Sequence, residues 1–515
     1  MAPDAGDPST APLPKTGPTL RQKTRHGLLW AGGEAGSRAL LQFGVLAVMA
    51  RLLTPKDYGD AGAAMIVIGI SAMFSQLGVG PAIVQRPEIK APHLTAAFHA
   101  SVLLGVLVGA LVWLGAPLFA ALFRLGELTP LLRVLALTFP IAGVAVVAES
   151  CLQRDMRFDL LARAEVISSA VAFCAVGIPL AWTGHGAWAL VWAQLAQTVA
   201  KSFLVMYYRP FQPGLRWEKS ALHELLHFGS GLTLARLANY IATNGDNFVV
   251  GRWLGAEALG IYSRAYQLMV APAALMGNVL DKVLFPAMAK VQGNDAQLAR
   301  VYTQGSTLLA LVMLPASAMI GLLAPEIVAL LLGPKWDAVI FPLQVFSTGL
   351  LFRTSMKLSV SLVRAKGHVY QLALSQVYYG VAVLGLAAAG LPWGIRGVSV
   401  GVLAGITICF GIMSAVCLRL VGLRWRDFLA AHLPALRLTA VVALGGWLAC
   451  AGLRGHGLAP LALLPAAGLL MLLPALLLTA ALPRFFLGAS GEAWRDQALR
   501  TLRRRGGSTV LHSYL

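Results

Sequence analysis

Charge is scarce in this chain. Only 12% of its 515 residues are Asp, Glu, Lys or Arg, about half the share of a soluble domain. The length would fit two or three water-soluble domains, but so little charge could not cover their surfaces. A soluble enzyme and a disordered chain are thereby excluded. Cysteine is scarce too. The five are Cys151, Cys174, Cys409, Cys417 and Cys450. All lie in or beside apolar segments, where they read as small hydrophobes. None forms a C-x-x-C pair, which argues against a zinc site or a disulfide framework. There is no G-x-x-x-x-G-K-[ST] and no H-E-x-x-H, so neither ATP hydrolysis nor zincin chemistry has its motif here. Acids are the rarer sign, 22 against 41 Lys and Arg, for a net charge of +19.

What is abundant is apolar residues, 57% of the chain. They fall into runs of about 20, long enough to cross a bilayer. The runs predict an all-α polytopic membrane protein of about 14 spans, near 28–50, 60–84, 95–123, 131–152, 162–183, 186–208, 225–251, 258–286, 303–332, 338–362, 370–391, 395–418, 434–453 and 458–482. The polar, proline-rich and then basic start (Lys15, Arg21, Lys23, Arg25) reads as an uncleaved cytoplasmic tail. With that end inside, about 27 of the 41 basic residues fall on the cytoplasmic side and about 8 on the other. This bias predicts cytoplasmic N- and C-termini. It also accounts for most of the net charge, through topology and contact with anionic lipid rather than nucleic acid.

A weak internal repeat divides the chain. Arg51-Leu-Leu-Thr-Pro-Lys-Asp-Tyr-Gly59 and Arg252-Trp-Leu-Gly-Ala-Glu-Ala-Leu-Gly260 share Arg, Leu, an acid and a final Gly at an offset of about 201. Each closes one apolar helix and opens another. Six spans lie between them, so both copies face the same way and the repeat is parallel. Two six-helix lobes, 27–215 and 216–430, then flank a central path. They leave a cytoplasmic basic tail at 1–26, helices 13 and 14 at 431–483, and a basic cytoplasmic tail at 484–515.

Charges inside spans carry the functional clue, since each costs roughly 2.5–3.5 kcal/mol at a helix centre. Glu34 and Arg38 share one face of the first span, and Arg353 and Lys357 share one face of the tenth. Arg236, Asn239, Thr243 and Asp246 follow helical spacing along the seventh. Arg264 lies in the eighth. Together these predict a polar, net cationic lumen. Glu34 and Asp246 read equally as ion-pair partners or proton carriers. Glu149 pairs with a neighbour as readily as it binds a ligand. Lys201, Asp281 and Lys282 lie near span ends, where a long side chain snorkels. His223 and His227 are four apart at a helix start and read as solvated. Asp57 and Asp60 could hold a metal in a glycosyltransferase, but the outer loops look too short for such an enzyme.

The segments "ARLLTPKDYG" (50–59), "GVGPAIVQR" (78–86), "LQRDMRF" (152–158), "NGDNFVVGRWLGAEALGIYSRAYQL" (244–268) and "FPAMAKVQ" (285–292) resemble the polysaccharide transporter family. This is the branch of the multidrug/oligosaccharidyl-lipid/polysaccharide superfamily that includes Wzx-type flippases. The resemblance covers roughly 27–430. It implies a V of two six-helix bundles plus two C-terminal helices, alternating access and a cationic cavity. It implies no enzyme activity and no cofactor. The implied function is to flip undecaprenyl-diphosphate-linked oligosaccharide units across the bacterial inner membrane for exopolysaccharide, capsule or O-antigen synthesis. The implied partners are that lipid-linked glycan, inner-membrane phospholipid, and polymerase and export machinery. Related lipid II flippases carry cavity arginines on helices 1 and 8, to which Arg38 and Arg264 correspond by helix number and depth. Arg38, Arg264 and Arg236 would grip the diphosphate, with Arg353 and Lys357 as further cations. Asn239, Tyr240, Asn244, Tyr262, Tyr266 and Gln267 would meet sugars. A drug/cation antiporter of the same superfamily and a membrane glycan polymerase or ligase are the alternatives. The first would show a net acidic cavity, the second a sizeable outer domain.

Overall fold

The computed structural model describes residues 41–86, 88–211, 214, 219–455 and 460–488. These are helical, with no strand among them. In chain order the helices are α1 (Leu41–Leu52), α2 (Pro55–Gln76), α3 (Val79–Gln85), α4 (Ala91–Phe123), α5 (Leu128–Arg154), α6 (Phe158–Trp182) and α7 (Ala187–Tyr208). Residues Lys219–Lys290 follow as one run broken at Gly255, whose φ is +86°. Its arms are α8 (219–254) and α9 (256–290). Then come α10 (Asp295–Leu322), α11 (Ala324–Leu331), α12 (Pro334–Thr348), α13 (Leu350–Ala365), α14 (Val369–Ala389), α15 (Leu391–Val421), α16 (Trp425–Gly455) and α17 (Pro460–Ala481).

Among the described residues ten helices are long and apolar enough to span a membrane, or eleven if α12 and α13, bent by 43°, form one span. The expected fourteen is not reached on these criteria. The start of the first span lies outside the described residues, and the long run broken at Gly255 is not in the count. That run nevertheless folds back on itself. The Tyr262 hydroxyl donates to Asp246 Oδ2 at 2.7 Å. In a straight helix, 16 residues would separate them by about 24 Å. Gly255 supplies the left-handed backbone that this reversal needs.

The two repeat corners meet. A Cβ on Gly59 would lie 1.6 Å from the Ala256 carbonyl oxygen, and one on Gly260 would lie 1.8 Å from that of Pro55. Residues 55 and 59 correspond to 256 and 260 at the repeat offset, so the contact maps onto itself when the halves are exchanged. That reciprocity is the mark of a two-fold relation. α2 and α9 both start at this corner and run the same way, so the axis lies along them. The two corners therefore meet in a backbone contact that only glycine permits. Thr54 and Asp57 close a capping box on α2, with Pro55 in its first turn. Asp57 is thus engaged at a helix start, and Asp60 is buried. The Trp336 indole, fully buried, donates to the Ala50 carbonyl at 2.8 Å and packs edge-on against Tyr58. These contacts close one end of the inter-lobe space, called the corner side below.

α16 and α17 form a separate apolar cluster against α10, including Leu323, Val442, Cys450, Ala467 and Met471. A bidentate pair pins them at the corner side. Arg454 Nε and Nη2 donate to Glu326 Oε1 and Oε2 at 2.8 and 3.0 Å, and Nη2 also donates to the Leu322 carbonyl at 3.0 Å. Cys151, Cys409, Cys417 and Cys450 are free and buried, and Cys174 is free and exposed.

Two predictions follow from these contacts. Gly59→Ala and Gly260→Ala each force the corner backbones apart and should cost about 1–3 kcal/mol, the usual range for overpacking. Gly44→Ala meets nothing within 4 Å and should be silent; thermal unfolding in detergent compares the three. Arg454→Ala should destabilise by about 1–3 kcal/mol, and more than Glu326→Ala. The first strands a carboxylate only 7% exposed, whereas Arg454, 45% exposed, can turn to solvent. Equal melting shifts would contradict this ordering.

Candidate functional site

A cavity of about 370 Å³ opens in the N-terminal lobe between α1, α2, α6 and α7. Its apolar walls include Val45, Ala61, Met65 and Phe173, and its polar lining includes Gln42, Glu165, Gln194 and Gln197. The C-terminal lobe adds two residues from α9, Arg264 and Gln267. The Arg264 guanidinium lies over the Tyr58 ring at 4.6 Å, a cation–π contact. Its Nε and the Oε1 of Gln267 are buried and have no hydrogen-bond partner. No acid pairs with Arg264 among the described residues. Buried polar atoms are normally satisfied, so the two mark where a ligand or water belongs. At Ala172–Gly177 α6 widens into a π turn just before Pro179. Phe173 of that turn lines the cavity, a common place for such turns.

The equivalent positions of the C-terminal lobe carry bulkier and more polar side chains. At the repeat offset Val45, Ala61 and Met65 correspond to Asp246, Tyr262 and Tyr266. Tyr262 bonds Asp246 and stacks with Tyr266 at 6.2 Å. Arg353 donates to the Tyr266 hydroxyl, and to that of Tyr379 at 3.5 Å. Asp246 also accepts from the Asn247 backbone N–H at 2.9 Å. The tyrosines thus bridge a buried acid to a half-buried guanidinium, and Tyr379 is a member that the sequence reading missed.

The expected site residues therefore divide. Arg264 and Gln267 face the cavity. Tyr262, Tyr266, Asp246 and Arg353 form the C-lobe network. Lys357, one turn from Arg353, is half-buried and has no ion pair among the described residues. Tyr240 packs between lobes, its hydroxyl 3.4 Å from the Met65 and Ile66 carbonyls. Asn244 donates to the Tyr240 carbonyl at 3.2 Å. Arg236 and Asn239 are exposed on α8. Glu34 and Arg38 lie outside the described residues, as do the side chains of His223, His227, Asp281 and Lys282. The lumen is not uniformly cationic. Glu165, absent from the sequence-derived candidates, lines it along with Arg264. Lys201 lies between Glu149 and Glu165, at 3.2 and 3.3 Å, rather than snorkelling to a span end.

Solved structures share this fold. The lipid II flippase MurJ in an inward closed conformation superposes with a TM-score of 0.71 at 15% identity, covering 89% of this chain and 100% of that one. An inward-facing multidrug resistance MATE family transporter of the MOP superfamily gives 0.60 at 18%, covering 74% and 94%. The fold is therefore the one seen in transporters of the multidrug/oligosaccharidyl-lipid/polysaccharide superfamily. The sequence profile of the family described as "Polysaccharide biosynthesis protein" matches residues 48–341, and the chain belongs to that family. The lipopolysaccharide biosynthesis protein WzxC of Escherichia coli (strain K12) is 26% identical over 360 residues, 68% of this chain and 72% of that protein. The teichuronic acid biosynthesis protein TuaB of Bacillus subtilis (strain 168) is 26% identical over 352 residues, 68% and 73%. The succinoglycan biosynthesis transport protein ExoT of Rhizobium meliloti (strain 1021) is 25% identical over 426 residues, 82% and 83%.

The C-lobe network makes its own prediction. Tyr262→Phe removes an O–H donor from a carboxylate that is 2% exposed and should lower stability by about 1–3 kcal/mol. Tyr266→Phe should cost less, because Arg353 keeps Tyr379. Thermal unfolding of the two variants checks the order, and the reverse order would argue against Tyr262 as the main support of Asp246.

Proposed function

We propose that the chain moves undecaprenyl-diphosphate-linked oligosaccharide units from the cytoplasmic to the periplasmic leaflet by alternating access. The observation that carries this reading is Arg264. It is a half-buried guanidinium facing an inter-lobe cavity, with no acid partner among the described residues and an unpartnered Nε. The family, and the polysaccharide biosynthesis or transport for which WzxC, TuaB and ExoT are named, support the polysaccharide context. A cation antiporter would need an acid, not an arginine, at that position.

The physical problem is the head group. A diphosphate and its glycan must cross about 30 Å of hydrocarbon, which is prohibitive without a polar passage. The tail can stay in lipid. The guanidinium fork matches phosphate oxygens, so Arg264 is assigned to the diphosphate. Arg38, outside the described residues, is assigned with it on the family resemblance alone, and Arg236, Arg353 and Lys357 are second-rank cations. Gln267, Asn239, Tyr240 and Asn244 are assigned to sugar contacts. The corner side is read as periplasmic because the loops there are poor in Lys and Arg, which puts both termini in the cytoplasm of an inner-membrane protein. Moving about two negative charges outward is then electrically downhill, by roughly 2.3 kcal/mol per charge per 100 mV. Protonation of Asp246 or Glu34 is the alternative coupling.

Arg264→Ala is expected to abolish glycan export at normal protein level, with complete lipid-linked units accumulating in the inner leaflet. Arg264→Lys should retain part of the activity, as a point charge without the fork. Export assays with quantified membrane protein check both. Full export by Arg264→Ala and Arg38→Ala would overturn the cationic-site reading.

A further inference from the structure

Five of the six residues 262–267 on α9 have polar side chains, and they fall into two sets. Tyr262 donates to Asp246 Oδ2 at 2.7 Å, Ser263 donates to the Gly260 carbonyl at 3.1 Å, and Tyr266 accepts from Arg353. These three are engaged within the protein. The other two, Arg264 and Gln267, line the inter-lobe cavity. Arg264 Nε and Gln267 Oε1 are buried and have no hydrogen-bond partner among the described residues. One is a donor and the other an acceptor.

Their spacing suits a single ligand. Residues three apart on a helix have Cβ atoms about 5–6 Å from each other, so both side chains reach the same part of the cavity. The fold itself does not call for polar groups here. At the repeat offset Arg264 and Gln267 correspond to Ala63 and Ile66, both apolar and buried. Water can serve both atoms, but a ligand that displaces it must match each of them or lose affinity.

The two atoms ask for different chemistry. An anion answers Arg264, whose guanidinium edge matches phosphate oxygens. It cannot answer Gln267 Oε1, because an ionised diphosphate carries acceptors and no donor. The donor must come from the next part of the ligand. In a glycosyl diphosphate the phosphate ester sits on the anomeric carbon. The nearest donor is then the hydroxyl or amide N–H on the neighbouring ring carbon.

We propose that Gln267 is a specificity-determining residue whose side-chain carbonyl accepts a hydrogen bond from the hydroxyl or amide N–H beside the anomeric carbon of the first sugar. This rests on the flippase reading above and adds a substrate class to it, sugars that carry a donor at that carbon. A site built to hydrogen-bond a substrate group rejects the analogue lacking it more strongly than an apolar pocket rejects a change of size. The reason is that the acceptor is left buried and unpaired. The contact at Arg264 is common to every diphosphate lipid and gives affinity. Gln267 distinguishes among the sugars attached to it.

The test uses the full-length protein in proteoliposomes with two probes. One is a polyprenyl-diphosphate trisaccharide whose first sugar has the hydroxyl beside the anomeric carbon. The other is the same lipid with fluorine in place of that hydroxyl, which keeps the size and cannot donate. The wild type is expected to flip the hydroxyl probe about tenfold faster, the low end for one unpaired buried acceptor. Gln267→Met keeps the side-chain length and removes the carbonyl. It should bring the ratio close to unity, mainly by slowing the hydroxyl probe. A side chain that only packs α9 would, when replaced, slow both probes alike and leave the ratio unchanged, and that result overturns the proposal. So does equal flipping of both probes by the wild type, with the flippase reading intact. That comparison needs no variant and stands even where Gln267→Met does not fold. If neither probe moves while the wild type remains folded, the flippase reading itself fails and this proposal falls with it.

Discussion

The structure hangs on one backbone contact. Gly59 and Gly260 each bring a carbonyl of the opposite lobe to where a side chain would begin. Helices in a bilayer gain little from excluding water, so close packing must hold them together. Two glycines at the repeat offset provide that packing twice, in a reciprocal arrangement. Around them gather the α2 capping box, the Tyr58–Trp336 edge contact and the indole bond to Ala50. Closure of one end of the lumen, the fold-back at Gly255 and the placement of α9 beside α2 all follow from that contact.

A symmetric frame carries unlike contents. At equivalent positions the C-terminal lobe has Asp246, Tyr262 and Tyr266, where the N-terminal lobe has Val45, Ala61 and Met65. Aromatic side chains and an acid–guanidinium bridge occupy these positions in one lobe. Smaller and apolar residues leave the other hollow, with Arg264 and Gln267 closing its wall. The repeat gives both lobes a common corner, and the departures from it make their interiors unlike.

Much of this was legible in the sequence, for identifiable reasons. Low charge and repeated apolar runs carry the membrane fold because burial in lipid is a composition-level constraint. The offset of 201 marked the corner because a backbone contact leaves glycine no substitute. Asp246 and Arg353 stood out as charges in apolar surroundings, but their bridging by Tyr266 and Tyr379 did not. Residues 266, 353 and 379 come together only through packing, and tyrosines in membrane helices are ordinary. Glu165 was missed because it lies near the start of α6, where an acid costs little. Lys201 was read as an end residue for the same reason. Only the bundle brings Glu149, Glu165 and Lys201 into one cluster. The bends at Leu77–Gly78 and between α12 and α13 were hidden inside unbroken apolar runs, since hydropathy reports burial and not backbone continuity.

The cavity-facing charge and the corner contact share the same helical turns. Gly260 and Arg264 are four residues apart on α9 and so lie on one face. On α2, Tyr58, which carries the guanidinium, immediately precedes Gly59. Tyr58 in turn packs on Trp336, whose indole bonds the end of α1. An anion that draws Arg264 off the Tyr58 ring therefore acts on the same short stretch of backbone that holds the lobes together. A ligand shifts an equilibrium only by its differential affinity for the two states. With cation, aromatic ring and glycine contact on adjoining turns, a difference in that affinity needs no long relay through the protein. The cation–π contact to Tyr58 occupies the face of the Arg264 guanidinium and leaves its N–H edge for an anion.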